Sequence, residues 1–182
     1  MRGHGLPRQV IPRLLRLAHA TAGNVAIEFA LVSTILVPLL LNSIDFSFLI
    51  WAKMEVENAA QMGAQAAYAT CSSGPLPATT GCANLSSAVT TAVQGTSLGT
   101  AVSLPGDSPD EDYGCTSGTT LKTVGDYSSP PNPFDCSAVG DPSHTPGDYV
   151  IVNVTYSYTP IFSGLSLASS QTLRSVAIQR LQ

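Results

Sequence analysis

Three hydrophobic patterns follow one another along the chain. From Phe29 to Ile44 there is no charged residue, with Glu28 just before this block and Asp45 just after it. Extended to Trp51, the block is long enough to cross a hydrocarbon core of roughly 30 Å at 1.5 Å per residue. A cleaved signal peptide has a shorter apolar core followed promptly by small residues at its cleavage site. Here Phe46, Phe48, Leu49, Ile50 and Trp51 prolong the run, so the pattern predicts a retained transmembrane helix with Trp51 at the outer interface. Pro38 removes the amide that would bond the Thr34 carbonyl. That predicts a local kink, with Ser33 or Thr34 partly satisfying the freed carbonyls.

The second pattern has helical spacing but small side chains. Ala52, Val56, Ala59, Ala60, Gly63, Ala64 and Ala67 recur at three- and four-residue steps between Lys53, Glu55, Glu57, Asn58, Gln61 and Gln65, so the helix continues beyond the membrane. It should end between Tyr68 and Cys71, because a breaker-rich stretch from Ser72 to Pro77 follows. Such a stripe permits close helix approach, either to a neighbouring subunit or to the chain's own globular body.

The third pattern alternates. In Tyr149 to Thr159, Val150, Val152, Val154, Tyr156 and Tyr158 share one face, which reads as a half-buried strand ended by Pro160. Ser170 to Arg180 reads as a final strand with Leu173, Ser175, Ala177 and Gln179 on one side. The short turn between them dictates antiparallel pairing, and the pair should pack against the long helix. Between the second and third patterns order is sparse. Asn84 to Val93 can form a short helix with Leu85, Ala88 and Ala92 on one face and Gly95 as a stop, and Thr100 to Leu104 a short strand. Pro105 to Pro146 is rich in Pro, Gly, Ser and Asp and reads as loops held by staples.

Charge gives this arrangement a direction. Arg2, Arg8, Arg13 and Arg16 are half of the eight Lys and Arg residues, and no acidic residue precedes Glu28. The positive-inside rule keeps this basic segment in the cytoplasm and sends the acidic body across the membrane. Only 11% of the residues are charged, against about a quarter in a soluble domain. The acidic body also argues against nucleic-acid binding.

All four cysteines, Cys71, Cys82, Cys115 and Cys136, follow the membrane segment, which reads as disulfides in an oxidising compartment. Of three possible connectivities, Cys71 to Cys82 and Cys115 to Cys136 close the shortest loops, each rich in Gly, Pro and Ser, and two disulfides would supply what a small core lacks. The spacings contain no C-x-x-C pair, so metal ligation is not indicated. Asp107, Asp110, Glu111 and Asp112 lack the spacing of a calcium loop and read as a solvated acidic turn. His4, His19 and His144 have no companion nucleophile or carboxylate at telling spacing, and the motifs of hydrolases, zinc proteases and phosphate-binding loops are absent. No enzyme, cofactor or small-molecule substrate is expected. The Asn84 and Asn153 glycosylation sequons are short enough to occur by chance, and the second sits in a predicted strand.

Glu28 carries the functional reading. An ionised side chain at membrane depth costs roughly 2.5 to 3.5 kcal/mol on insertion scales and is a functional-site hypothesis by default. The bland alternative places it at headgroup level with its charge in water. The arginine-rich leader, Gly23-Asn24-Val25-Ala26-Ile27-Glu28-Phe29, the helix with Pro38, Ile44-Asp45-Phe46 and the run from Asn58 to Ala67 together resemble the TadE-like minor pilins, or pseudopilins, of the tight-adherence (type IVb) pilus system. The resemblance covers Ala22 to about Ala69 closely and the two final strands more weakly.

The resemblance implies several things. The fold would be α+β and type IV pilin-like: a cytoplasmic leader over residues 1–23, a transmembrane helix over 24–51, its extracytoplasmic continuation over 52–71, and a small disulfide-stapled, loop-rich domain with an antiparallel sheet over 72–182. A prepilin peptidase would cut between Gly23 and Asn24, with Glu28 the fifth residue beyond the cut and Phe29 similar to the aromatic that follows it in this subfamily. Glu28 would pair with the new amino terminus of an adjacent subunit and set register. The implied partners are the inner membrane, other pilin subunits, the assembly machinery and the peptidase. Asn24 stands where many type IV pilins have an N-methylated Phe. The alternative function is an extracytoplasmic binding domain for which the helix is only a tether.

Overall fold

A computed structural model of the chain describes residues 11–106, 108–118 and 120–182, with side chains in the first helix described from Gly23 onward. The leader arginines and Asp107 lie outside these described side chains, as do His4 and His19. Helix α1 runs from Ile11 to Cys71 without interruption at Pro38. It ends at the residue that the breaker-rich stretch sets as its limit. Ser33 and Thr34 donate their hydroxyls to the Ala30 and Leu31 carbonyls, at 3.0 and 2.7 Å. Neither reaches the Thr34 carbonyl that Pro38 leaves without its helical donor, contrary to expectation. A hydroxyl on α1 reaches back three or four residues, which from Ser33 or Thr34 falls short of that carbonyl.

After α1 come the short helix α2 (Ala78–Gly81), helix α3 (Leu85–Gln94) and strands β1 (Val102–Ser103), β2 (Asp110–Ser117), β3 (Thr120–Asp126), β4 (Gly147–Tyr158) and β5 (Gln171–Arg180). Strand β4 is the spine of one antiparallel sheet. Strand β5 takes one of its edges over ten paired positions, from Tyr149 opposite Arg180 to Tyr158 opposite Gln171. Strands β2 and β1 divide the other edge, β2 beside Gly147 to Ile151 and β1 beside Thr155 and Tyr156. In the gap between them the Ser108 side chain accepts from the Asn153 amide at 2.9 Å and donates to its carbonyl at 3.3 Å.

The core is where α1, α3 and this sheet meet. Val150, Val152 and Val154 of β4 are fully buried against Val56, Ala59, Ala60 and Ala67 of α1 and Val89 and Val93 of α3. Of the two alternatives for the small-residue stripe, the chain's own body is the one it covers. Gly63 shows why small residues are required: a Cβ there would lie 2.8 Å from Val93 Cγ2 and 3.0 Å from Val152 Cγ1. On α3 the inward face is Leu85, Val89 and Val93, while Ala88 and Ala92 are only partly buried. The expected face was rotated because it favoured small residues over the larger valines, which remove more apolar area from water.

The stretch from Pro105 to Pro146 is more ordered than loops held by staples. It contains the β2–β3 hairpin, turned at Gly118 with φ of 62°, a conformation open to glycine. A register shift between Tyr113 and Gly114 breaks the period-2 burial that would reveal β2 in the sequence. Disulfide Cys71–Cys82 ties the end of α1 to the segment after α2, and Cys115–Cys136 ties β2 to the loop before β4.

The close approach at Gly63 yields a test. Gly63→Leu should destabilise the domain by about 1 to 3 kcal/mol or more through overpacking, outweighing the ~1 kcal/mol or less gained by removing a helical glycine. Thermal unfolding of the detergent-solubilised chain followed by circular dichroism checks this; an unchanged melting temperature would contradict the packing.

Candidate functional site: an uncovered stem and two buried acidic positions

Two parts of α1 differ in what surrounds them. Above Ala52 one face is covered by the domain, but from Gly23 to Leu40 all but Ser33 and Pro38 are exposed. Phe29 and Ile35 are each 74% exposed, and Val25, Leu31, Leu36 and Leu39 are exposed too. A helix apolar all round and uncovered by its own chain is a membrane span. Its apolar window has no residue buried within the molecule. The helix is therefore an inner-membrane anchor that places the domain on the extracytoplasmic side.

Within this stem, Glu28 is exposed between Val25, Phe29 and Val32. It has no ion-pair partner among the described residues. Gly23 lies one and a half turns before it. A Cβ at Gly23 would meet nothing within 4 Å, so intramolecular packing does not require glycine there, in contrast to Gly63. Asn24 and Phe29 share this exposed segment, whereas the four cysteines lie in the domain, far along the chain from it.

At the upper end of the stem two polar residues have roles that the sequence pattern does not assign. Asn42 Nδ2 donates to the Leu165 carbonyl at 3.1 Å and to the Pro38 carbonyl at 2.7 Å, while its Oδ1 accepts from the Leu167 amide at 2.5 Å. One turn on, Asp45 is fully buried. Its Oδ1 accepts from the Ile161 amide at 2.9 Å, its Oδ2 from the Phe162 amide at 3.4 Å, and its backbone carbonyl from the Tyr158 hydroxyl at 2.8 Å. Burial, with the Asp45 charge adding to it, pushes the Tyr158 hydroxyl above its ordinary range. Asn42 and Asp45 thus latch the β4–β5 loop to the helix. The signal for them in the sequence was a polar pair at i, i+3 inside an apolar run.

The acidic cluster is not a solvated turn. Asp110, Glu111 and Asp112 open strand β2, and Glu111 is buried. Its Oε1 accepts from the Ala78 amide at 2.7 Å, and its Oε2 from the Thr79 amide at 2.8 Å and the Thr79 hydroxyl at 2.9 Å. Helix α2 begins after Pro77, which has no side chain able to cap it, so a carboxylate from the sheet satisfies its first amides. Asp148 is buried nearby, and neither of its oxygens has a hydrogen-bond partner. Glu111 and Tyr127 adjoin it without meeting hydrogen-bond geometry. Burial first, and then repulsion from Glu111, pushes the Asp148 carboxyl up to about 7. Burial, reinforced by Asp110 and Asp126, likewise raises Asp112.

His144 does have a carboxylate companion, contrary to expectation: Nδ1 lies 2.7 Å from Asp141 Oδ2 and 3.2 Å from the Ser143 hydroxyl. Both neighbours contact the same ring nitrogen. A hydrolytic triad needs the serine on one nitrogen and the carboxylate on the other, so this exposed turn is not one. Among the described residues no group of three or more His, Cys, Asp or Glu could hold a metal ion.

An apolar helical stem continuous with a helix packed across an antiparallel sheet, in a domain closed by two disulfides, defines the pilin-like class of architecture. Within that class, the family model described as TadE-like protein matches residues 23–65, so the stem and the start of the packed part of α1 are similar to that family. No curated protein and no solved structure matches the chain.

Two expectations follow from the buried acids. Asp45→Ala should leave the Ile161 and Phe162 amides without their acceptor, at a cost of about 1 to 3 kcal/mol, and accelerate their hydrogen exchange about tenfold or more. Unchanged exchange would mean that Asp45 does not hold the loop. Asp148 in the folded state binds its proton more tightly than an ordinary aspartate. Its contribution to stability should be complete below about pH 4 and lost as pH rises through about 7. Chemical denaturation at pH 5 and pH 8.5 should show a greater fall for the parent chain than for Asp148→Asn.

Proposed function

We propose that the chain is a minor pilin or pseudopilin that assists or primes assembly of a type IVb tight-adherence pilus serving surface attachment. The observation that carries this reading is the pairing of Gly23 with Glu28 on the uncovered stem. Glycine inside a helix costs roughly 0.5 to 1 kcal/mol relative to alanine, and at Gly23 no close intramolecular contact compensates. A need for glycine on the part of a processing enzyme accounts for it. Prepilin peptidase would cleave between Gly23 and Asn24, leaving Glu28 fifth in the mature chain and Phe29 behind it.

The freed amino terminus would be a cation, and Glu28 meets no cation among the described residues. Opposite charges in an apolar bundle cost far less together than apart, so Glu28 is suited to accept the amino terminus of an adjacent subunit and fix its register. The bare apolar flanks of the stem supply the remaining contact between subunits, and a bend at Pro38 would tune their packing. In this reading the partners are other pilin subunits, the assembly machinery and the peptidase.

Co-expression with a prepilin peptidase followed by amino-terminal sequencing should yield a mature chain beginning at Asn24, and Gly23→Leu should retain the leader. Glu28→Ala should reduce recovery of the protein in the sheared pilus fraction or of pili themselves by about tenfold or more, an effect equivalent to ~1.4 kcal/mol in an equilibrium, while leaving membrane insertion intact. An uncleaved leader in the parent chain would sink the proposal and favour a simple tether.

A further inference from the structure

We propose that the β4–β5 loop, residues 159–170, is a second membrane contact, seating Leu165 and Leu167 in the outer edge of the bilayer beside the anchor. The inference depends on α1 spanning the membrane and is independent of whether the chain enters a fibre. Its first support is depth. Glu28 and Asp45 bracket seventeen residue steps of α1, about 26 Å at 1.5 Å per residue, close to the ~30 Å of hydrocarbon that a membrane helix must cross. If Glu28 marks the cytoplasmic edge, Asn42 and Asp45 fall at the opposite one. The loop is fastened to those two residues and therefore lies at that depth.

The second support is the loop's surface. Leu167 is 82% exposed, Leu165 58% and Ile161 57%, and no charged residue occurs between Asp148 and Arg174. The exposed leucines adjoin the lipid-facing flank of the anchor. They also lie below Phe48 and Trp51, which touch edge to face with ring centroids 6.5 Å apart and belong at headgroup level, where aromatic rings collect.

The third support is the loop's backbone. Irregular chain approaches hydrocarbon at least cost where its polar groups are already satisfied. The Ile161 and Phe162 amides donate to Asp45, the Leu167 amide to Asn42, the Leu165 and Ser166 amides to the Phe162 carbonyl, and the Ala168 amide to the Ser166 hydroxyl. These bonds include the amides of Ile161, Leu165 and Leu167, the residues with the exposed apolar side chains. The polar pair on α1 thus satisfies the Ile161, Phe162 and Leu167 amides, so that the backbone beside these apolar side chains approaches lipid already paired.

The test uses the full chain, native disulfides intact, reconstituted in phosphatidylethanolamine and phosphatidylglycerol vesicles. Leu167→Cys is labelled with an environment-sensitive nitrobenzoxadiazole dye, with Leu165→Cys as a second site. Ser117→Cys, at the remote β2–β3 turn, is the aqueous reference. At both loop sites, emission should be blue-shifted, quenched by lipids carrying a nitroxide near the headgroup, and several-fold less sensitive to aqueous iodide than at position 117. Iodide access equal to that at 117 would overturn the proposal. So would protection that disappears as protein is diluted in lipid, because the cover would then be a second copy of the chain.

Discussion

One helix in this molecule must satisfy two solvents, and the rest of the architecture follows from where it changes from one to the other. From Gly23 to Leu40, α1 carries bulky apolar side chains on every side and its own domain leaves them exposed. From Ala52 onward, one face carries small residues and is fully covered. The changeover is more than a fading of hydrophobicity. Large side chains on the inward face would hold the sheet and α3 away, as the contacts around Gly63 make plain, whereas small ones on the lipid side would remove apolar area from the anchor. Between these regimes stand Asn42 and Asp45, whose polar groups bind a loop that would otherwise hang free.

The domain above the changeover is small, and its core draws on only one face of α1, one face of α3 and one face of the sheet. It compensates with connections made at the ends of elements. Each disulfide begins at a regular element, Cys71 at the end of α1 and Cys115 within β2. Glu111 does similar work without a covalent bond, since it fastens the start of α2 to β2. The proximity of Asp148 makes that arrangement sensitive to protonation: two buried carboxyls cannot both ionise at low cost.

What was legible in the sequence was whatever repeats. The anchor, the stripe beyond it, the alternating β4 and β5, and their antiparallel pairing all announce themselves by period, and a two-layer α+β plan follows from those alone. The hairpin was hidden because a bulge at Tyr113 and Gly114 interrupts its alternation and because acids at the head of β2 imitate a solvated turn. Glu111 looked exposed since its partners, the Ala78 and Thr79 amides, are more than thirty residues away and are backbone groups, which leave no mark on a sequence. Asp45 was visible as the end of an uncharged block. Its role depends on amides more than a hundred residues further on. In the stem the reverse holds: the family resemblance pairs Gly23 with Glu28, and the fold adds that neither is engaged by the described residues.

That lack of engagement distinguishes the lower stem from the rest of the chain. A tether needs only apolar length, to which neither residue contributes. Glycine inside a helix weakens it, and a carboxylate at the margin of a membrane span opposes insertion. At three other positions such unfavourable choices have visible compensation: Gly63 admits two valines, Glu111 caps a helix, Asp45 holds a loop. At Gly23 and Glu28 the described residues provide none. In the function proposed above another molecule supplies it, one that reads the glycine and one that meets the carboxylate, and the exposed apolar surface from Val25 to Val32 leaves room for the approach.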